Sequence, residues 1–314
     1  MKAPNGSEKD RTMHFSHFAR SCVYPLWIAN LIAFFLVHQQ VRAAETNLVQ
    51  ALRAFMGITQ KTSADANAPG DARDLAGKSV TIDLPGLPSG AKKLELVMLF
   101  PKKESGIAPF LIGKYEVTQG QWQAVMGNNP SDYKKGPDYP VEMVSWDDAK
   151  AFCAKLKSLV GSKLPNEFIF RLPTDPEWSW AVGLENEKGN TPQEKHMKIA
   201  DVYPWGTQWP PPKGAGNYDD YSNFKIPDFS DGYESTSPVG SFNPNKNGLY
   251  DMGGNVWEWC ENWYDEKKQC RVLRGASWFL STFDFLLSSF RYFDTPDFRV
   301  NVIGFRVVLG MSLP

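Results

Sequence analysis

The chain has 314 residues, with 34 Lys and Arg against 35 Asp and Glu, for a net charge of −1. No basic tract stands out, which excludes nucleic-acid binding through an electrostatic footprint, and the length suits one large domain or two small ones. The 20 Phe and 11 Trp can build a large aromatic core, while 23 Pro and 25 Gly favour irregular connections over long helices.

Residues 1–43 read as an export signal. Arg11, His14, His17 and Arg20 form a basic front, residues 23–37 are apolar apart from Pro25 and Asn30, and Val41 and Ala43 take the two positions a signal peptidase reads. Cleavage is expected after Ala43, which places the protein in the periplasm, on the cell surface or outside the cell. The alternative is an uncleaved anchor, although an apolar run of about 15 residues is shorter than the ~20 that a membrane span needs. With the signal cleaved, the chain is not an integral membrane protein. Cleavage would remove His14, His17, His38 and Cys22, leaving His196, Cys153, Cys260 and Cys270. One histidine cannot build a multi-His zinc or iron site, and His196, in the charged stretch 194–198, reads as a solvated surface group. Three cysteines leave room for one disulfide. Cys260 and Cys270 are the nearest pair, though sequence does not fix the connectivity.

Residues 44–78 read as helix and linker, with Leu48, Leu52, Phe55 and Met56 at helical spacing before a tract rich in Ala, Asp and Gly. The globular domain is expected over 79–314. Strands are predicted over 80–84, 94–100 and 110–117. Thr118 is placed to cap a helix over 119–126, with Gln121 as its capping-box partner. Ser145 caps a second helix over 146–159, with Ala149, Phe152, Leu156 and Leu159 on its inner face. Thr174 caps a third, whose first turn holds Asp175, Pro176 and Glu177 and whose Trp178, Ala181 and Val182 face inward. From 203 to 302 the chain reads as mostly loop with short strands.

Eight motifs follow one another: GKYEVTQGQW at 113–122, PVEMVSW at 140–146, RLPTDPEW at 171–178, YPWG at 203–206, PV at 238–239, GGNVWEW at 253–259, RGASW at 274–278 and GFR at 304–306. In this order they resemble the formylglycine-generating enzyme family, also called sulfatase-modifying factors. The resemblance implies an α+β variant of the C-type lectin fold, loop-rich with short strands and a few short helices. It also implies structural calcium. One site would use Asn217 and Asp231 with the carbonyls of Tyr218 and Tyr233; the other would use Asp251 and Glu258 with those of Gly254 and Val256. Calcium takes six to eight oxygens in a flexible cage, which such loops can present. Taken without the family, Asn217 and Asp231 read as turn residues and Glu258 as a buried ion-pair partner.

The family's oxidases hold copper on two cysteines that follow the block ending at Ser277. The corresponding positions here are Leu280 and Phe285. Copper(I) needs soft sulfur, and neither residue supplies it, so no copper and no catalytic residue of that type is expected.

Between RGASW and GFR lie the 24 residues 279–302, none of them Lys, Glu, Gln, Met or Trp. Those five types make up roughly a fifth of ordinary sequence. Every residue type present can be encoded by a codon ending in a pyrimidine, the set reached by randomising the adenines of an Asn codon. The segment resembles the variable region of retroelement-diversified proteins, some of which use this lectin-like fold. The resemblance makes Phe279, Leu280, Ser281, Phe283, Phe285, Phe290, Tyr292, Phe293, Asp294, Phe298, Val300 and Val302 the ligand-binding positions. The fixed framework would be Ser277, Trp278, Leu286, Leu287, Arg291, Pro296, Arg299 and Gly304. The expected function is binding of a protein or glycan partner through this segment. The competing readings are a family enzyme, either oxidoreductase or of different chemistry in the same cleft, and a structural cell-envelope protein.

Overall fold

The computed structural model describes residues 76–160, 164, 166–218 and 225–313. The export signal and residues 44–75 of the helix and linker expected over 44–78 lie outside the described residues.

Strands β1 (Ser79–Ile82), β2 (Leu94–Leu99) and β3 (Phe110–Gly113) form an antiparallel meander. The final strand of the chain, β9 (Val308–Met311), inserts between β3 and β4 (Phe168–Arg171), giving the order β1-β2-β3-β9-β4. Side chains alternate between the two faces of a strand, and here both faces are covered. Leu94, Leu96 and Met98 enter one core, while Val97 and Leu99 enter the other. The third strand stops at Gly113, short of the expected Val117, because the chain folds back on itself there. A Cβ at Gly113 would lie 2.8 Å from the Tyr115 carbonyl oxygen.

Helix α1 (Gln119–Met126) carries the expected capping box between Thr118 and Gln121. Helix α2 (Trp146–Val160) begins with a reciprocal pair in which the Asp148 amide donates to Ser145 Oγ at 3.1 Å and the Ser145 amide donates to Asp148 Oδ2 at 3.0 Å. Ala149, Phe152, Cys153 and Leu156 form its inner face, closed by Val160. Leu159 is exposed, contrary to expectation, because the buried stripe 149, 152, 153, 156 continues at Val160, four residues past Leu156, and leaves Leu159 off it. Helix α3 (Asp175–Val182) is capped by Thr174 and Glu177, and Arg171 grips Glu177 through two bonds of 2.7 Å. Helices α1 and α2 pack in the first core with Phe305, whose ring meets Trp122 and Phe152 edge-on. Helix α3 packs in the second.

A second sheet has the order β7-β6-β5-β8. It comprises β5 (Trp257–Trp263), β6 (Arg271–Arg274), β7 (Tyr292–Asp294) and the two-residue β8 (Ile303–Gly304), the last parallel to β5. Its register corrects the expected Cys260–Cys270 pairing. Trp259 stands opposite Leu273, and the Tyr264 amide donates to the Cys270 carbonyl, so Cys270 sits level with Tyr264 rather than with Cys260. Cys153, Cys260 and Cys270 are free thiols. Among the described residues no helix is long and apolar enough to cross a membrane.

Candidate ligand-binding face

Residues 279–302 leave the second sheet through a tight turn. Gly275 takes a left-handed φ of 93°, which lets its backbone lie against Trp178, where a Cβ would come within 3.3 Å of the indole. The Trp278 amide then donates to the Asn255 carbonyl at 2.9 Å. From there the chain makes successive turns: Leu280 N–H to Ser277 O, Phe285 N–H to Thr282 O and Phe290 N–H to Leu287 O. Turns of this kind satisfy backbone groups locally, so the side chains are released from the ladder of a sheet.

The middle of the segment is pinned. Leu286, Leu287, Ser288, Ser289 and Arg291 are all buried. The Arg291 guanidinium donates to both oxygens of Asp175 at 3.0 Å and to both of Glu187 at 2.8 and 2.7 Å. Arg274 contacts the same Asp175 carboxylate. These guanidinium groups hold the Asp175 carboxyl below the usual carboxylate range even though burial opposes it.

On either side of this anchor the side chains turn outward. Phe279 and Phe283 are 61% and 53% exposed, and Phe285, Tyr292, Phe293 and Phe298 are exposed as well. Leu280, Ser281, Asp294, Val300 and Val302 are half-buried at the margin. Phe290 is the exception and must be withdrawn from the face. It is 8% exposed, with its ring 4.7 Å from His196 and 5.9 Å from Trp257. It directly precedes Arg291, so the anchor draws it into the core. Of the expected framework, Ser277 and Gly304 are buried, Trp278 and Pro296 are half-buried, and Arg299 is exposed and bonded to Asp148 at 2.7 Å.

Outside the segment, Trp209 extends the face, and buried Tyr264 and Trp257 lie beneath its rings. Trp209, exposed on its own loop, meets Phe283 edge-on at 6.2 Å. Tyr133 meets Trp278, which meets Phe279. Tyr264 stacks on Phe293 at 4.0 Å and Trp257 lies 5.7 Å from Tyr292. His196 is no free surface group. It follows helix α4 (Pro192–Lys195), is half-buried, and accepts the Arg291 amide on Nδ1 at 3.1 Å. Burial and the Arg291 charge hold its pKa below the ordinary value. No sequence signal marked Trp209 or Tyr264, since a lone aromatic in a loop carries no period.

The residues named for calcium fall into two groups. Asp231 accepts the amides of Tyr218 and Tyr233 at 2.7 and 2.8 Å and so ties the two loop strands together. Asn217 is buried, and its Oδ1 has no hydrogen-bond partner. In the second group, Glu258 takes Arg306 through two bonds of 2.7 and 2.6 Å and Trp178 through one of 2.8 Å. Asp251 accepts the Gly240 amide on one oxygen, while Oδ1 lacks a partner. Gly254 and Val256 lie on the buried turn between them, where the Val256 amide donates to Glu116. Glu116, unmarked in the sequence reading, is a third buried carboxylate beside them, accepting Asn255 Nδ2 at 2.7 Å. Burial and the charges of Asp251 and Glu258 push Glu116 well above its usual range, and Asp251 rises to about 6, chiefly through burial. Among the described residues no three His, Cys, Asp or Glu side chains converge to hold a metal by themselves. Any cation here would therefore take amide and carbonyl oxygens too, as the hard calcium ion does.

The copper positions present no sulfur: Leu280 is half-buried and Phe285 is exposed. The thiols that exist are elsewhere and held in the protonated form. Burial pushes Cys153 up to about 12 and Cys260 well above its usual value. These residues do not fit a copper thiolate site.

The fold, its motifs and this face place the chain in a known class. It belongs to the family of sulfatase-modifying factor enzyme 1-like domains, whose sequence pattern matches residues 67–311; the fold is the formylglycine-generating-enzyme-like variant of the C-type lectin fold. Among its relatives is the chaperone protein LppX of Paenibacillus barcinonensis, 31% identical over 57% of this chain and 72% of that one. Another is the inactive C-alpha-formylglycine-generating enzyme 2 of Bos taurus, 34% identical over 63% of this chain. The match spans 59% of that bovine protein, less than two thirds of its length. Among solved structures, Treponema denticola variable protein 1 superposes with a TM-score of 0.55 at 25% identity, covering 74% of this chain and 98% of that one. The resemblance of residues 279–302 to a variable region accords with that likeness.

Proposed function

We propose that this chain is an exported, non-catalytic binding protein that grips a protein or glycan partner through residues 279–302. The observation that supports it most is the split within one segment: Leu286, Leu287, Ser288, Ser289 and Arg291 are buried, while six aromatic rings on either side are exposed. Clustered exposed apolar side chains mark interaction sites more often than idle surface, and aromatic anchors are what binding hot spots are made of. Relatives named as an inactive C-alpha-formylglycine-generating enzyme and as a chaperone protein support a non-catalytic reading.

Calcium is part of the proposal. At the first group it would join Asn217 and Asp231 and the carbonyls of Tyr218 and Tyr233, and at the second it would offset the surplus carboxylates around Asp251 and Glu258. Its part is structural, ordering the loops that carry the face.

Two measurements test the reading. Purified protein immobilised as bait is screened against displayed random peptides and a glycan array. The ligands retained should be lost when Phe279, Phe283 and Phe285 are all replaced by Ser, and retention unchanged by that triple substitution overturns the proposal. Copper-loaded protein should leave a cysteine-containing sulfatase peptide unoxidised; turnover would establish the enzyme reading instead. Export is tested by N-terminal sequencing of the mature protein, which should begin at Ala44.

A further inference from the structure

The face is not uniformly apolar, and its charge is one-sided where β7 gives way to the next turn. Asp294 closes the strand half-buried, and Asp297 is exposed three residues on. Asp294 accepts the Thr295 amide at 2.8 Å, and Asp297 bonds to Thr295 and feels the charge of Arg299, but among the described residues neither forms a salt bridge, although three arginines lie close by in sequence or register. Arg299 commits its Nε to Asp148 at 2.7 Å. Arg291 is buried against Asp175 and Glu187. Arg271 stands opposite Asp294 in the β6–β7 ladder. Its guanidinium, however, is sandwiched between the indoles of Trp146 and Trp263, 3.9 and 3.4 Å from the ring centres, and donates to the Glu261 carbonyl at 2.5 Å. Two carboxylates without a salt bridge, Asp297 exposed and Asp294 half-buried, therefore share a short stretch with the exposed rings of Tyr292, Phe293 and Phe298.

Five of the six exposed rings of the segment belong to Phe, which offers no hydrogen-bonding group. A glycan would find few partners there for its hydroxyls. A protein surface with an apolar centre and a cation would find partners for both, because carboxylates and aromatic faces attract ammonium and guanidinium groups alike.

We propose that the partner is a protein that presents an Arg or Lys side chain within an apolar patch, and that Asp294 and Asp297 receive this cation between the rings of Phe293 and Phe298. This rests on residues 279–302 being the binding surface.

The test uses the full chain in three forms: wild type, Asp294→Asn with Asp297→Asn, and Phe283→Ser with Phe285→Ser. Each is confirmed to be folded by its thermal transition and then screened against a phage-displayed random peptide library and a glycan array. Peptides selected by the wild type should carry Arg or Lys and should bind the Asn pair about tenfold or more weakly. Their affinity should also fall as NaCl rises from about 50 to about 500 mM. Peptides that lack a basic residue, or that bind the Asn pair as tightly as the wild type, overturn the basic-partner proposal and leave the face standing. Retention of glycans in place of peptides overturns the protein partner. Ligands indifferent to the Ser pair, or no ligand at all, overturn the underlying reading of the face.

Discussion

Two clusters of buried charge sit on one face of the second sheet, where Glu258 and Arg274 are cross-strand partners, and they are built on different arithmetic. Around Arg274 and Arg291, two guanidinium groups meet two carboxylates, Asp175 and Glu187. Around Arg306, one guanidinium meets three, Glu116, Asp251 and Glu258. An isolated buried charge is expensive, and pairing with hydrogen bonds offsets the expense. The first cluster is closed within the chain. With all three carboxylates ionised the second sums to −2, offset by backbone amides and by protons drawn to the raised Glu116 and Asp251; a divalent cation displacing those protons would also bring the sum to zero. The anchor of the face, Arg291, belongs to the closed cluster, and the proposed second calcium group, Asp251 and Glu258, to the open one.

The sharpest way to break this contrast is to open the closed cluster. Arg291→Ala leaves Asp175 and Glu187 facing Arg274 alone, and the expected loss is about 3–5 kcal/mol in denaturant unfolding. A loss near zero would show that the anchor is dispensable. A smaller effect is expected at the open cluster on chelation. Calcium at about 100 times its dissociation constant stabilises by about 2.7 kcal/mol, which thermal unfolding with and without EGTA will read. The sign of the pH dependence follows from the raised Asp251. A carboxyl whose folded pKa lies above its unfolded value contributes stability that is full below the unfolded pKa, about 4. That contribution drains as pH rises through about 6. The calcium-free protein should therefore weaken from pH 4 to 7, and the gain from calcium should be larger at pH 7 than at pH 5. An equal gain at both would remove Asp251 from the site. The smallest effect is expected on the face itself. Phe283→Ser should change unfolding free energy by no more than ~0.5 kcal/mol, since the ring is already in water; a large loss would make Phe283 a core residue.

What could be read from the sequence followed the range of the physics. Capping is local, so Thr118 with Gln121 and Thr174 with Glu177 announced α1 and α3 correctly. The alternation of apolar residues placed β1 and β2 to within two residues. Long-range effects stayed hidden. Arg291 faces Asp175 across 116 positions, and without that pair nothing in the sequence says that Phe290 turns inward while Phe293 turns out. The expected Cys260–Cys270 pair failed for a related reason, because proximity in sequence says nothing about register across a hairpin with an irregular ladder. Glu116 lies in the strand predicted over 110–117, where nothing in the sequence marks its carboxylate. Only the fold brings it to Asn255 and Val256 at the centre of the open cluster. Trp209 joins the face through a loop that has no signature.

Arg291 sits near the middle of residues 279–302, and its fixed guanidinium divides them into two spans whose backbones are satisfied separately. Substitutions in one span need not shift the other, so paired changes such as one at Phe283 and one at Phe298 should act additively on affinity. A surface organised this way can be re-lettered position by position, and its recognition properties can be explored in small, independent steps while the scaffold beneath stays the same.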